Sequence, residues 1–146
     1  MKIHQGAIVA ILFAVSGCSS LSSVGEVFGI ESKEMEAVSN YEECAAFNMA
    51  VSANLSSSVH ALSEEAPRAG EFRKRAEFLM DRAVQMRMAA EGTSRAEAFK
   101  ETFENYTERV KKQSVELNDR IGRDGTGVIA NPWVQQNRKR CGDNRA

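Results

Sequence analysis

From Cys44 to Ile121 apolar residues return at steps of three and four, the period of a helix with one buried face, and no stretch alternates with the period of two that a half-buried strand needs. A first helix is expected from Val38 to Leu62, on the stripe Cys44, Phe47, Val51, Leu55, Val59 and Leu62. Its weak part is Ser56-Ser57-Ser58, because serine hydroxyls compete for the helix backbone. Pro67, tolerated in a first turn and not in an interior, opens a second helix carrying Phe72, Ala76, Leu79, Ala83, Met86 and Ala90, and Gly92 ends it near Ala90. Ser94 with Glu97 three residues on matches a capping box. The third helix it opens carries Ala96, Phe99, Phe103, Tyr106, Val110, Leu117 and Ile121 as a core stripe. Gly122, Gly125 and Gly127 break that helix and predict a mobile loop, after which Asn131-Pro132 starts a short fourth helix ending near Cys141. The expected fold is all-α, an up-and-down bundle of three long helices and a short C-terminal one, with Trp133 supplying most of the apolar anchoring of the last.

The start of the chain follows other rules. Lys2 supplies positive charge, and Gly6 to Val15 form an apolar run of about ten residues, long enough for a secretory leader and too short to span a bilayer. The run closes on Val15-Ser16-Gly17-Cys18, which resembles the lipobox of bacterial lipoproteins. The resemblance implies a signal peptide over 1–17, cleavage before Cys18, a diacylglycerol on the Cys18 sulfur and an N-acyl chain, such as palmitate, on the new amino terminus. One acyl chain binds a membrane marginally, whereas two or three anchor it stably. Ser19, standing where an aspartate resembles an inner-membrane retention signal, favours the outer membrane and its periplasmic side. Residues 18–40, rich in Ser, Gly and Glu, suit a flexible tether, within which Val24 to Ile30 is apolar enough to dock back or dip into the headgroups. The bundle would then occupy 41–142, with a tail over 143–146.

Of three cysteines, lipidation of Cys18 leaves Cys44 and Cys141 as a pair in an oxidising compartment. The alternatives are two separate thiols or intermolecular bridges. Such a bridge would pin the short fourth helix, which buries too little to hold itself, to the start of the first.

A formal net charge of −1 gives no global field to attract nucleic acid. Locally, Glu26, Glu31, Glu34, Glu36, Glu42, Glu43, Glu64 and Glu65 precede Pro67, and Arg138, Lys139, Arg140 and Arg145 lie near the end, so the two ends should attract one another. Arg68, Arg75 and Arg82, spaced by sevens along one side of the second helix, are candidates for receiving an acidic peptide or a phosphate-bearing lipid, although Glu71 and Asp81 share that helix. Trp133 is the other candidate interaction residue, as a surface aromatic for a ligand.

Reaction chemistry finds no support in the sequence. His60 sits one residue off the apolar stripe, with no spacing that nominates a nucleophile or an orienting partner. Glu42-Glu43 and Glu64-Glu65 are sequence neighbours, whose side chains diverge on a helix instead of converging on one bond. Met80, Met86 and Met88 read as core filler before they read as haem or copper ligands, and no Cys-x-x-Cys-His motif is present. The expectations are therefore no catalytic residue, no metal, and no cofactor beyond the lipid on Cys18. The role expected is a membrane-anchored, non-catalytic adaptor or assembly factor for an envelope protein. Small disulfide-braced helical lipoproteins of this size look like pilotins, by architecture alone and with no residue motif to carry over. The alternative is an inhibitor of a periplasmic enzyme, of the lysozyme-inhibitor type, acting through residues 122–131; a haem or metal carrier ranks below both.

Overall fold

Residues 21–55 form one helix, α1 (Leu21–Leu55), around which the rest of the chain is wrapped. The computed structural model describes residues 21–57, 60 and 63–142, with side chains from residue 33 onward. After α1 come α2 (Ala69–Glu91), α3 (Arg95–Asp124) and the short α4 (Pro132–Gly142), so the described chain is helical throughout, with three long helices and one short. A 3-10 turn at Ala66–Arg68, holding Pro67, leads directly into α2, which places the proline where its missing N–H costs nothing.

α1 packs most extensively against α2, then against α3, and touches α4. The core between them is built from Phe47, Val51 and Leu55 of α1, Phe72 and Leu79 of α2, Leu117 of α3, and Val134 of α4. Val128 and Ile129, from the connection between α3 and α4, join the same core.

Two expectations about the ends of α1 change. Residues 21–40, read as a tether, are instead the N-terminal part of α1, and Val38 is fully buried. Both prolines lie outside this segment, so a helix nucleated by the packed residues of α1 propagates upstream at one hydrogen bond per added residue, against a cost of about 1 kcal/mol each at Gly25 and Gly29. At the other end α1 stops at Leu55, where the serine run begins, and a turn follows with Ser56 N–H donating to Ser52 O. Val59 and Leu62 lie outside the described residues, as does Cys18.

The helix boundaries elsewhere are set by caps. Gly92 closes α2 at φ +65°, a conformation that an L side chain resists. At the start of α3 the Ser94 hydroxyl accepts from Glu97 N–H while the Glu97 carboxylate accepts from Ser94 N–H, completing the capping box. α3 then passes through Gly122 and ends at Asp124, with Gly125 in the left-handed region at φ +61°. The connection that follows is pinned, not mobile. Val128 is fully buried and Ile129 nearly so, and Ile129 N–H donates to both carboxylate oxygens of Glu65 at 3.2 and 3.1 Å. Asn131, itself fully buried, accepts from Trp133 N–H as the cap of α4 and donates back to Asp124 and Thr126, tying the end of α3 to the start of α4.

Candidate functional site

The most distinctive side chains gather at two places: along α3, and around α4 where the disulfide holds it to α1. Cys44 and Cys141 are bonded, with Cα atoms 5.4 Å apart across a sequence separation of 97 residues. Both are buried beside Phe47 and Trp133, so the bridge belongs to the core. Trp133 is half-buried. Its ring meets Phe47 edge-on at 5.6 Å, and the Arg120 guanidinium lies 5.6 Å from its centroid.

α4 has a recess on either side. Toward α2, a cleft of about 320 Å³ is lined by Phe72, Arg68, Arg75 and Arg138. The three arginines are already engaged: Arg75 donates to Cys141 O at 3.0 Å, Arg68 stands 3.6 Å from Glu71, and Arg138 lies over the Phe72 ring at 5.8 Å. Arg82, expected as the third member of the set, is elsewhere, donating to Gln85 on the exposed side of α2. Arg138 takes its place because α4, not the next turn of α2, closes the cleft. Toward α3, a groove of about 260 Å³ is lined by Trp133, Asn137 and Arg140 of α4 and by Arg109, Lys112 and Gln113 of α3. Trp133 therefore both anchors α4 and walls a recess.

The attraction between the acidic start and basic end of the domain is present in one contact, Arg140 to Glu43 at 3.0 Å. Glu42 and Glu43 take different principal partners but share Arg109. Glu43 faces Arg140 and Arg109, whereas Glu42 turns inward to Arg87 at 2.9 Å and to Arg109 at 3.6 Å. Arg87 also reaches Glu91 at 2.9 Å and Glu101 at 2.7 Å, and donates to Thr102 Oγ1 at 3.0 Å. Burial alone would lower the Arg87 pKa, but the hydrogen bond to Glu42 and the charges of Glu42, Glu101 and Glu91 raise it, so the guanidinium stays charged in the interior.

On α3 the first part of the expected core stripe is turned toward water, while Leu117 is buried and Tyr106 and Ile121 pack against the core as expected. The buried positions are Ala98, Thr102, Gln113 and Leu117, while Ala96 is exposed and Phe99 and Phe103 are 50% and 48% exposed. The two phenyl rings stack at 5.7 Å, and Tyr106 continues the ladder 6.3 Å from Phe103. Tyr106 is half-buried against the core, and burial, then the nearby Glu77 charge, pushes its phenol pKa up. Periodicity alone places Phe99 and Phe103 inside; the signal that contradicts it is the polar pair Thr102 and Gln113 on the neighbouring face, each bonded to another helix.

The remaining candidates are placed as follows. His60 lies beyond the end of α1, half-buried in a groove with Asn54, Ser57, Ser114 and Asn118. Asn54 donates to Asn118 across it. Met80 packs against the core, and Met86 and Met88 are half-buried, the core position next to Met86 being taken by Arg87. Among the described residues, no group of three or more His, Cys, Asp or Glu side chains is placed to hold a metal ion, and no helix is long and apolar enough to cross a membrane. No protein-family model, curated protein or solved structure matches the chain.

Proposed function

We propose that this protein is a lipoprotein of the outer membrane, acylated on Cys18, whose helical domain binds an envelope protein on the periplasmic side without catalysing a reaction. The observation that supports the binding role is the ladder Phe99, Phe103 and Tyr106, whose rings share one side of α3 at i, i+4 and i+7 with two of them half in water. Covering the free half of each phenyl ring removes about 100 Å² from water, worth roughly 2.5 kcal/mol per ring before the costs of association. An amphipathic helix laid along α3 would meet this spacing. Two-dimensional confinement by the lipid raises the effective concentration of the domain near other envelope components, so modest affinity suffices. An adaptor or assembly role of the pilotin kind is the one we assign.

Two features weigh against other roles. The most buried ionisable groups, Glu42 and Arg87, spend their charge on each other across α1 and α2. An inhibitor that plugs an active site needs a loop offered outward, and in the connection between α3 and α4 Val128 and Ile129 turn into the core instead.

The test is in vivo photo-crosslinking in the native host. A crosslinking residue at 103 is expected to give a discrete adduct in the membrane fraction, and one at the exposed position 119 none. Equal labelling from both positions would overturn the ladder as the binding face. Loss of palmitate labelling in Cys18→Ser, with release of the protein from membranes, is the expected result for the anchor; unchanged fractionation refutes it.

A further inference from the structure

The groove between α3 and α4 contains an acceptor that has no partner. Gln113 is 7% exposed and donates its side-chain N–H to Glu43 O at 3.2 Å. A backbone carbonyl can only accept, so the amide nitrogen must face Glu43 and the opposite atom, Oε1, is left over. That Oε1 is buried and unbonded among the described residues. Leaving a buried acceptor unmade costs about 1 to 3 kcal/mol, so its position beside a recess is informative.

The charges of the lining are uneven. Glu43 is held between Arg140 at 3.0 Å and Arg109 at 3.5 Å, and Glu116 is held by Arg120 at 2.8 Å. Lys112 lines the groove and forms no ion pair among the described residues. The recess therefore presents a spare ammonium, a spare hydrogen-bond acceptor and the half-buried Trp133 ring. A ligand that satisfies all three carries an anionic group, an N–H a few bonds away and an apolar side chain. The free carboxylate end of a peptide has this chemistry. At about 260 Å³ the groove falls just below the ~300 to 1,000 Å³ of sites that enclose a whole drug-sized molecule, which suits the end of a chain.

We infer that the groove between α3 and α4 binds the carboxylate-terminated end of a peptide, with the carboxylate on Lys112, the last peptide N–H donated to Gln113 Oε1, and the terminal side chain against Trp133. The carboxylate end can come from a protein tail or from a free short peptide. The cleft on the other side of α4 is a poorer receptor, because no buried acceptor is left over there. The groove lies further along α3 than the aromatic ladder, so loss of binding here leaves the ladder's role untouched.

Trp133 is the chain's one tryptophan, so its fluorescence reports on the groove without a label. The probe is N-acetyl-alanyl-alanyl-leucine titrated into the full chain, beside the same tripeptide as its carboxamide. A saturable change with the acid, and affinity for the carboxamide weaker by roughly tenfold or more, is expected. Lys112→Gln, an exposed change that leaves the circular dichroism spectrum intact, should weaken the acid roughly tenfold; Gln113→Leu should weaken acid and carboxamide alike. Equal response to acid and carboxamide, or no saturation by about 1 mM, overturns the assignment, as it would mean that an ordered water alone satisfies Gln113. Presenting the tripeptide as the C-terminus of a folded, tryptophan-free carrier separates the sources: binding of carrier and free peptide identifies protein tails, binding of the free peptide alone identifies a small-peptide ligand, and binding of neither overturns the site.

Discussion

Arg87 of α2 places its guanidinium 2.9 Å from the Glu42 carboxylate of α1, with both side chains almost wholly out of water, at 3% and 2% exposed. Removing both ions from solvent is costly, and their attraction returns that cost only because Glu91, Glu101, Thr102 and Arg109 satisfy the remaining donors and oxygens. The pair therefore fixes how α1 and α2 meet more than it deepens stability. Arg87→Met should lower the unfolding free energy by about 3 to 5 kcal/mol, because Glu42 keeps only Arg109 at 3.6 Å, and Glu42→Leu should cost less, because Glu91 and Glu101 still pair with Arg87. The double variant Glu42→Leu, Arg87→Met should recover most of the loss. Urea unfolding of the four proteins closes this cycle, and additive losses would show that the two side chains do not act as a pair.

The same pair shows where the sequence stops being legible. The number and order of the helices, and the limits of α2, α3 and α4, follow from stripes, caps and prolines, because these are local signals, whereas both ends of α1 do not. The register of α2 follows from Phe72 through Ala76, Leu79 and Ala83 and is lost only beyond them: the next step leads to Met86, while the packed helix buries Val84 and Arg87. An arginine at a core position is invisible to a hydrophobicity pattern, since its burial is offset by partners on α1 and α3 that the pattern of α2 does not contain. The groove was half legible, with Trp133 singled out by type, but Gln113 and Lys112 join it only through the docking of α4.

A contrast in α2 and α3 tests the outward-turned part of the stripe directly. Leu79 is fully buried and Phe103 is 48% exposed. Leu79→Ala should cost about 2 to 5 kcal/mol, through lost burial and the cavity it leaves, and Phe103→Ala no more than about 1 kcal/mol despite the larger deletion. Denaturant midpoints are the readout. The reverse order would return Phe103 to the core.

Reduction should act first on α4. The bridge closes 97 residues, for which the chain-entropy model gives about 4 to 5 kcal/mol. Because α4 is 11 residues long and depends on Cys141, Val134 and Trp133 for its docking, Cys44→Ser with Cys141→Ser should expose Trp133 and shift its emission to the red before global unfolding. Coincident loss of helicity and tryptophan burial along a denaturant series would show instead that α4 is not a separate cooperative unit.

In acid the cap of α3 should weaken. The Ser94 hydroxyl, then its backbone N–H, hold the Glu97 carboxyl below its ordinary pKa. A depressed carboxyl pKa stabilises the fold above the unfolded value, about 4.3 for glutamate, and that contribution disappears as pH falls through the folded value. Ser94→Ala should therefore lose stability near neutral pH, and the part of that loss carried by the Glu97 carboxylate should disappear in strong acid, leaving the part carried by the hydroxyl that accepts from Glu97 N–H. Thermal midpoints across the acid range test it; a constant gap between the two proteins would remove Glu97 titration as the cause.

Glu65 holds the connection between α3 and α4 by accepting from Ile129 N–H with both oxygens, and the same carboxylate leaves no space over Gly127. A Cβ added at 127 would stand 3.0 Å from each carboxylate oxygen, so the Glu65 carboxylate would have to shift by a few tenths of an ångström and stretch the hydrogen bonds it accepts from Ile129. Gly127→Ala and Glu65→Ala should thus converge on the same defect from opposite sides, one by crowding the clamp and the other by deleting it. Each should cost about 1 to 3 kcal/mol, the penalty for leaving the N–H of a buried residue without its partner. In the double variant the alanine methyl gains room while the clamp is already gone, so its loss should match Glu65→Ala alone. Hydrogen exchange at the Ile129 amide reads the clamp itself, and protection that survives Glu65→Ala would show that another acceptor fixes the connection.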